Sequence, residues 1–158
     1  MKVSLQPSTD NDIELILAWR NHPLVFQFLY TQGFLGHGYI SWDEHYKWWN
    51  KHRHWTRLII LVEDETVSRK VGYIQFADWG EGIADTGVYL GEITLWGQGI
   101  MKKALNLGLE HLKEKGFTKA RADIVKSNQR SIALYEGLGF VRLLGSKREG
   151  EWDYELIL

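Results

Sequence analysis

The feature that most constrains the fold is a run of three β-rich segments in the middle of the chain. They cover Arg57 to Val62, Val71 to Phe76 and Ala84 to Leu90, and segments of hairpin length that contain Asp, Glu and Gly separate them. Runs of β-branched and aromatic residues form strands, and such short connections join antiparallel neighbours. The centre of the chain is therefore predicted to be an antiparallel meander.

Two helices and a strand are predicted before this meander. Val3 to Gln6 alternates as a short strand, and Ser8-Thr9-Asp10 then offers helix caps for an amphipathic helix that Pro23 interrupts or ends. A second helix is predicted to begin at Ser41, because Ser-x-x-Glu through Glu44 is the spacing of a capping box.

Helices and strands alternate after the meander. A helix is predicted from Gly99 to Lys115, a strand from Phe117 to Val125, a short helix from Asn128 to Leu138, and two strands around Glu149-Gly150. The order β α α β β β α β α β β indicates an α/β chain of the α+β kind. Its sheet is expected to be single, mixed and mostly antiparallel, with about six to seven strands and four flanking helices.

Length and composition narrow the class of protein. The 158 residues fit one domain, expected to span residues 1–158, and the net charge of -1 gives no general attraction to nucleic acid or membrane lipid. The absence of cysteine excludes disulfides and a cysteine acyl-enzyme. Because the N-terminal residues are polar and no run of 18 apolar residues occurs, a cytoplasmic location without membrane contact is expected.

The segment Trp96-Gly97-Gln98-Gly99 leaves a predicted strand and opens a predicted helix. Two glycines spaced in this way let the backbone pass close to a ligand, and the free N–H groups of the first helical turn can bind phosphate oxygens. Lys102 adds positive charge beside them. Taken alone, the segment is more typical of a tight turn that binds nothing.

A second segment, Asn128 to Phe140, places Asn128, Ser131 and Tyr135 on one face of a helix. The alternative interpretation is structural, with Asn128 as an N-cap and Tyr135 in the core.

The two segments together resemble the GNAT superfamily of acyl-CoA-dependent N-acetyltransferases. The pattern is Trp-Gly-x-Gly at a strand-to-helix turn, followed after a helix and a strand by Asn-x-x-Ser-x-x-Leu-Tyr-x-x-x-Gly-Phe. The predicted order of elements agrees with that family along essentially the whole chain. The resemblance implies a splayed sheet that binds acetyl-CoA between its fourth and fifth strands, and no metal.

The resemblance also assigns residues to the cofactor. Main-chain groups of Leu90 and Gly91 correspond to those that bind pantetheine, and Tyr135 to the residue that protonates the departing thiolate. The remaining positions carried over to the cofactor are Trp96, Gly97, Gln98, Gly99, Ile100, Met101, Lys102, Asn128 and Ser131. Trp96 and Met101 depart from the usual pattern, and the longer side chain of Met101 is expected to narrow the phosphate cradle.

Transfer of an acetyl group to an amine also needs a base and an oxyanion donor. Glu92, beside the predicted cofactor strand, is the first candidate for the base, and Asp85 on that strand is the second. The oxyanion donor is expected among the main-chain N–H groups from Leu90 to Gly91. Without cysteine, transfer is expected to be direct, within a ternary complex.

The segment between the first two strands indicates the acceptor. Trp-Arg-Asn-x-Pro and Ile-Ser-x-x-x-His-x-x-Trp resemble acetyltransferases of the pseudaminic-acid pathway, which act on the 4-amino group of a UDP-4-amino-4,6-dideoxy-sugar. Arg20 is expected to pair with a diphosphate, and aromatic rings to pack on sugar and uracil. The substrate candidates are Trp19, Arg20, Asn21, His45 and Trp49. Each could equally be a core or structural residue.

Two alternatives stay open at this point. A weaker Trp-x-Asn-x-Pro pattern is shared with ribosomal-protein N-terminal alanine acetyltransferases, and a non-catalytic nucleotide-binding module could keep the fold and use its tryptophans for stacking. The expected partner is a small-molecule amine, and a homodimer is left open.

Overall fold

The computed structural model describes all 158 residues and contains one seven-stranded sheet. The strands are β1 (Lys2–Pro7), β2 (Thr56–Glu63), β3 (Ser68–Asp78), β4 (Ile83–Leu90), β5 (Lys119–Val125), β6 (Val141–Arg142) and β7 (Glu151–Ile157). Their order in the sheet is β1-β2-β3-β4-β5-β7-β6. Only β4 and β5 pair in parallel, so the predicted mixed and mostly antiparallel sheet is confirmed.

Five α-helices connect and cover the strands. They are α1 (Ile13–Arg20), α2 (Pro23–Phe26), α3 (Trp42–Lys51), α4 (Ile100–Glu114) and α5 (Gln129–Gly137). Pro23 ends the first helix as predicted, and it also starts the four-residue α2 because proline fits the first helical position. Ser41 caps α3 by accepting a hydrogen bond from the N–H of Glu44. No helix has both the length and the apolar composition needed to cross a bilayer.

Side chains that alternate along the strands are buried on both faces of the sheet. In β2, Leu58, Ile60 and Val62 belong to the main core with α4 and α5, whereas Ile59 points to the other face. There it joins a smaller core with residues of α1 and α3: Ile13, Ile16, Trp19, Trp49 and Tyr73. The two faces are therefore filled by different helix pairs.

The central strands separate part of the way along their length. Pairing between β4 and β5 covers only Ile83 to Thr86 on β4 and Lys119 to Ala122 on β5. Beyond Thr86, β4 stays paired with β3, and beyond Ala122, β5 stays paired with β7. A wedge-shaped gap thus opens in the sheet, and it positions the candidate site.

Substitution of Gly91 should destabilise the fold, because Gly91 lies under the ring of Trp19. A Cβ atom at residue 91 would overlap Trp19 Cγ. We expect Gly91→Ala to lower the free energy of unfolding by about 3 kcal/mol, measured by chemical denaturation. At Gly137 the nearest atom to an added Cβ is 4.0 Å away, so Gly137→Ala is the matched control and should raise stability by about 0.5 kcal/mol. Equal effects of the two substitutions would contradict the packing role of Gly91.

Candidate active site

Main-chain groups of β4 face the gap at alternate residues. Gly91 N–H donates to Val71 O at 2.8 Å, and Trp79 N–H donates to Ile83 O at 2.9 Å, so the odd-numbered residues of β4 bond to β3. The N–H and C=O groups of Val88 and Leu90 consequently point toward the gap. The Gly91 N–H is already bonded to β3. The main-chain donors that face the gap are therefore those of Val88 and Leu90, and not that of Gly91.

The glycine turn leads from this edge of the sheet to α4. Gly97 and Gly99 have φ angles of 80° and 76°, a conformation that other residues rarely adopt. A Cβ atom at either position would meet nothing within 4 Å, so the turn borders open space. No side chain caps α4, and its first helical bond is that of Lys103 N–H to Gly99 O. The N–H groups before it are free to bind an anion.

A cavity of about 270 Å³ lies between this turn and the gap. It brings together most of the residues predicted to bind a cofactor: Leu90, Trp96, Gly97, Gly99, Ile100, Met101, Lys102, Asn128 and Ser131. Gly91 and Gln98 do not line it. Met101 packs partly against the main core and lines the cavity.

Trp96 closes one side of the cavity. Its indole Nε1 donates to Leu90 O at 2.8 Å, so this carbonyl group is already bonded within the protein. The guanidinium of Arg130 lies over the Trp96 ring at 4.6 Å and also lines the cavity. Arg130 and Lys102 thus give the cavity two cations, of which the sequence analysis identified only Lys102.

The helix face that carries Asn128, Ser131 and Tyr135 also lies at the gap. The side chain of Asn128 accepts from Ser131 N–H and donates to Ser131 Oγ, so the predicted N-cap is confirmed and both residues still line the cavity. Tyr135 is buried, and its hydroxyl lies 3.1 Å from Thr86 Oγ1 at the point where β4 and β5 separate. Burial raises the pKa of Tyr135 above its usual value, so the phenol stays protonated at neutral pH.

A second cavity, of about 310 Å³, meets the first at the gap. The residues common to both are Phe28, Leu29, Val88, Tyr89, Asn128 and Ser131. Its own lining includes Arg20, Trp48 and Tyr135. Because these linings overlap at the edge of β4, the two cavities form one passage, and Tyr135 lines its second part.

Carboxylates lie along one wall of the second cavity. Asp85, Asp123 and Glu151 line it, whereas Glu92 lines neither cavity. Burial, followed by repulsion from Asp123, raises the pKa of Asp85 to about 7. A carboxyl group with this pKa can exchange a proton near neutral pH. Of the two candidate bases, the structure thus brings only Asp85 to the site.

Of the predicted substrate residues, only Arg20 lines either of these two cavities. Its Nε donates to Gln32 Oε1 at 2.9 Å, and its guanidinium lies 5.1 Å from the centre of the Trp48 ring. It has no carboxylate within ion-pair distance and is only partly exposed. Arg20 is therefore an uncompensated cation beside the second cavity.

The neighbouring His45 is fully buried and neutral. Its Nε2 lies 3.0 Å from Ile13 O and so carries the proton, which leaves Nδ1 as the acceptor for Arg20 at 3.4 Å. Burial, followed by the charge of Arg20, lowers the pKa of His45 to about 4. His45 holds Arg20 in place instead of lining a cavity.

The other three predicted substrate residues also have structural contacts and line neither cavity. Trp19 packs on Gly91, and Trp49 donates from Nε1 to Asp10 Oδ1 at 3.0 Å. The side chain of Asn21 bonds both main-chain groups of Ile40. Their spacing on a helix could not distinguish a face that lines a cavity from one that packs on the sheet.

Several residues of the second cavity were not identified from the sequence. Trp48 lies three residues after the predicted His45, and this helical spacing, which places the two on one face, could have indicated it. Asp123, Arg148 and Glu151 come from separate strands and a hairpin, and no local spacing connects them.

Comparisons with known proteins agree with this geometry. A family model described as the acetyltransferase (GNAT) domain matches residues 2–141. A protein of Methanocaldococcus jannaschii is 38% identical over 157 residues, which are 99% of this chain and 31% of that protein. The chain thus spans about a third of the length of this curated relative. The acetyltransferase PseH of Campylobacter jejuni is 30% identical over 128 residues, 79% of this chain and 74% of PseH.

Solved structures share the fold. The crystal structure of a domain from Methanocaldococcus jannaschii has a TM-score of 0.92 at 38% identity, and the match covers 99% of both chains. Spermidine N-acetyltransferase from Vibrio cholerae, solved with CoA and spermine, has a TM-score of 0.78 at 17% identity. That match covers 98% of this chain and 95% of the other, and it concerns the fold alone.

The neutral state of His45 should make stability depend on pH. Its folded pKa of about 4 lies below the ordinary value of 6.5, so protons bind the unfolded chain more tightly. The free energy of unfolding should fall by up to about 3 kcal/mol as the pH drops through this interval. Denaturant unfolding at several pH values measures it, and His45→Gln should flatten the dependence. The exposed His37→Gln is the control; a flattening as large as that of His45→Gln would refute the assignment to His45.

Proposed function

This chain belongs to the GNAT acetyltransferase family, and on that premise we propose that it transfers an acetyl group from acetyl-CoA to a primary amine. The observation that carries the proposal is the passage between the two cavities, which joins an anion-binding helix terminus to a carboxylate-lined wall through the gap after Thr86. Acetyl-CoA, when bound, supplies the activated acetyl thioester.

The first cavity has the groups needed to hold CoA. The free N–H groups at the start of α4 and the cations of Lys102 and Arg130 suit its phosphates. The gap-facing main chain of Val88 and Leu90 suits the amide groups of its pantetheine arm. The open space beside Gly97 and Gly99 leaves room for this ligand, because an added Cβ there meets no protein atom.

Three groups of the chain supply the proton transfers and the charge stabilisation that the reaction needs. Asp85 accepts a proton from the ammonium group of the acceptor, which makes the amine nucleophilic. The N–H of Val88 stabilises the negative charge that develops on the carbonyl oxygen. Tyr135 then donates its phenolic proton to the leaving sulfur, and the second proton released by the reacting nitrogen restores the phenol. No protein nucleophile takes part, so transfer is direct in a ternary complex.

The charges of the second cavity favour an acceptor that carries both an amine and an anion. Carboxylates lie near the gap, whereas the uncompensated Arg20 lies beside Trp48, a ring on which a base or sugar can pack. We therefore propose a nucleotide sugar with a free amino group, of the UDP-4-amino-4,6-dideoxy type. The relation to PseH supports this class of acceptor, and the proposal includes a cytoplasmic location.

A panel of acceptors tests the proposed substrate class. Acetyl-CoA is incubated with a UDP-4-amino-sugar, spermidine or a peptide with an N-terminal alanine, and released CoA is measured with a thiol reagent. The chain has no cysteine and gives no background signal. The UDP-4-amino-sugar should have the highest kcat/KM. A higher value for the peptide would favour an N-terminal acetyltransferase, and binding of nucleotide without release of thiol would favour a non-catalytic module.

The pH profile tests the two proton-transfer groups. Since Asp85 acts as a base with a pKa of about 7, kcat/KM should fall tenfold per pH unit well below pH 7. Asp85→Asn should lower kcat/KM by about 100-fold or more and abolish this acidic limb. Tyr135→Phe should lower kcat by about 100-fold and keep the limb. An unchanged acidic limb in Asp85→Asn would assign the base to another residue.

A further inference from the structure

Three neighbouring strands carry aspartates on one face of the sheet. Asp85 lies on β4, Asp123 on β5 and Asp153 on β7, and Asp123 and Asp153 are directly opposite each other in the antiparallel pair. Directly opposed residues of an antiparallel pair bring their Cβ atoms within about 5 Å. Two carboxyl groups thus lie side by side, and that of Asp123 lines the second cavity.

Both of these carboxyl groups are buried, and each has one oxygen without a partner. The Asp153 residue is 5% exposed and the Asp123 side chain 10%. Asp153 Oδ2 accepts from the N–H of Lys147, and Asp123 Oδ2 lies 3.3 Å from Lys147 Nζ. The Oδ1 atoms of both residues have no hydrogen-bond donor. Two buried acceptors without donors are costly, and they repel each other when both groups are ionised.

One proton between the two unpartnered oxygens removes both penalties. We propose that Asp123 and Asp153 share a single proton, and that Asp153 is thereby a positioning residue that fixes the Asp123 carboxyl group at the acceptor cavity. The protonated member donates to its neighbour, so each Oδ1 gains a partner. Burial and the contact with Asp153 raise the pKa of Asp123, in agreement with this arrangement.

The shared proton also fixes the charge that the cavity presents to its substrate. The carboxyl groups that meet here are Asp85, Asp123, Glu151 and Asp153, and the cations are Lys147 and Arg148 of the β6–β7 hairpin. Tyr135 faces them from α5 as a neutral phenol. With Asp85 ionised and one proton shared, the cluster keeps one negative charge. On the proposed function, this balance fits an acceptor with a single ammonium group at the reacting end.

The test is a titration of the unliganded protein, so it does not depend on activity. The carboxyl carbons of ¹³C-labelled aspartate are followed by NMR against pH in the wild type and in Asp153→Asn. The amide can donate to Asp123 and accept from Lys147 N–H, so this variant keeps both contacts. We expect the midpoint of Asp123 to lie above the ordinary aspartate range in the wild type and to fall to that range or below it in the variant.

Asp78→Asn is the matched control, because Asp78 is exposed at the end of β3 and should leave the Asp123 midpoint unchanged. An ordinary Asp123 midpoint in the wild type, or a midpoint that Asp153→Asn does not move, would overturn the shared proton.

Stability gives a second readout with a defined sign. A carboxyl group whose pKa is raised by folding binds its proton more tightly in the folded state. Its contribution to the free energy of unfolding therefore falls as the pH rises through the folded pKa. The free energy of unfolding of Asp153→Asn, relative to the wild type, should therefore increase with rising pH, and a constant difference would contradict the proposal. If the titration succeeds while no amine of the panel is acetylated, the proposed function fails and the shared proton stands.

Discussion

The end of the β4–β5 ladder at Thr86 is the constraint on which the rest of the site depends. Continuous pairing would bond the inner main-chain groups of both strands to each other. Because the strands separate, Val88 and Leu90 keep groups directed at the gap, and the two cavities meet there. Tyr135, hydrogen-bonded to Thr86, marks the point where they do so. The end of the pairing between β4 and β5 thus creates both the free main-chain groups and the passage.

The packing around this gap separates unlike charges. Arg20 is packed among α1, α3 and the segment that carries Gln32, and no carboxylate forms an ion pair with it. Its neighbour His45 stays neutral. Across the cavity, the carboxyl groups of β4, β5 and β7 outnumber the cations of the β6–β7 hairpin. Buried charges are costly unless they are paired, and groups perturbed in this way cluster at functional sites. This polarity is what favours an acceptor with a cationic and an anionic end.

The sequence predicts the parts of the structure that local chemistry determines. The order of elements along the chain and the caps at Ser41 and Asn128 depend on residues a few positions apart. The anion-binding turn at Gly97 and Gly99 was also accessible, since positive φ angles and a free helix terminus are local properties. The family followed from two such local motifs.

The acceptor side could not be predicted in the same way. Trp19, His45 and Trp49 share the spacing of cavity-lining residues, yet they pack on the sheet, because spacing defines a helix face and not what covers it. Asp123 and Asp153 meet only through strand register, and Gln32 reaches Arg20 across an irregular turn. The choice between Glu92 and Asp85 likewise required knowledge of where the cavity lies.

The most direct test of the central claim is a titration of ¹⁵N-labelled protein with CoA, followed by amide chemical shifts. We expect the largest changes at Val88, Leu90 and the first turn of α4 from Ile100 to Lys102, with a small change at Gly91, whose N–H is bonded to Val71. Changes that spare the start of α4 and the β4 edge would contradict a cofactor site in the gap.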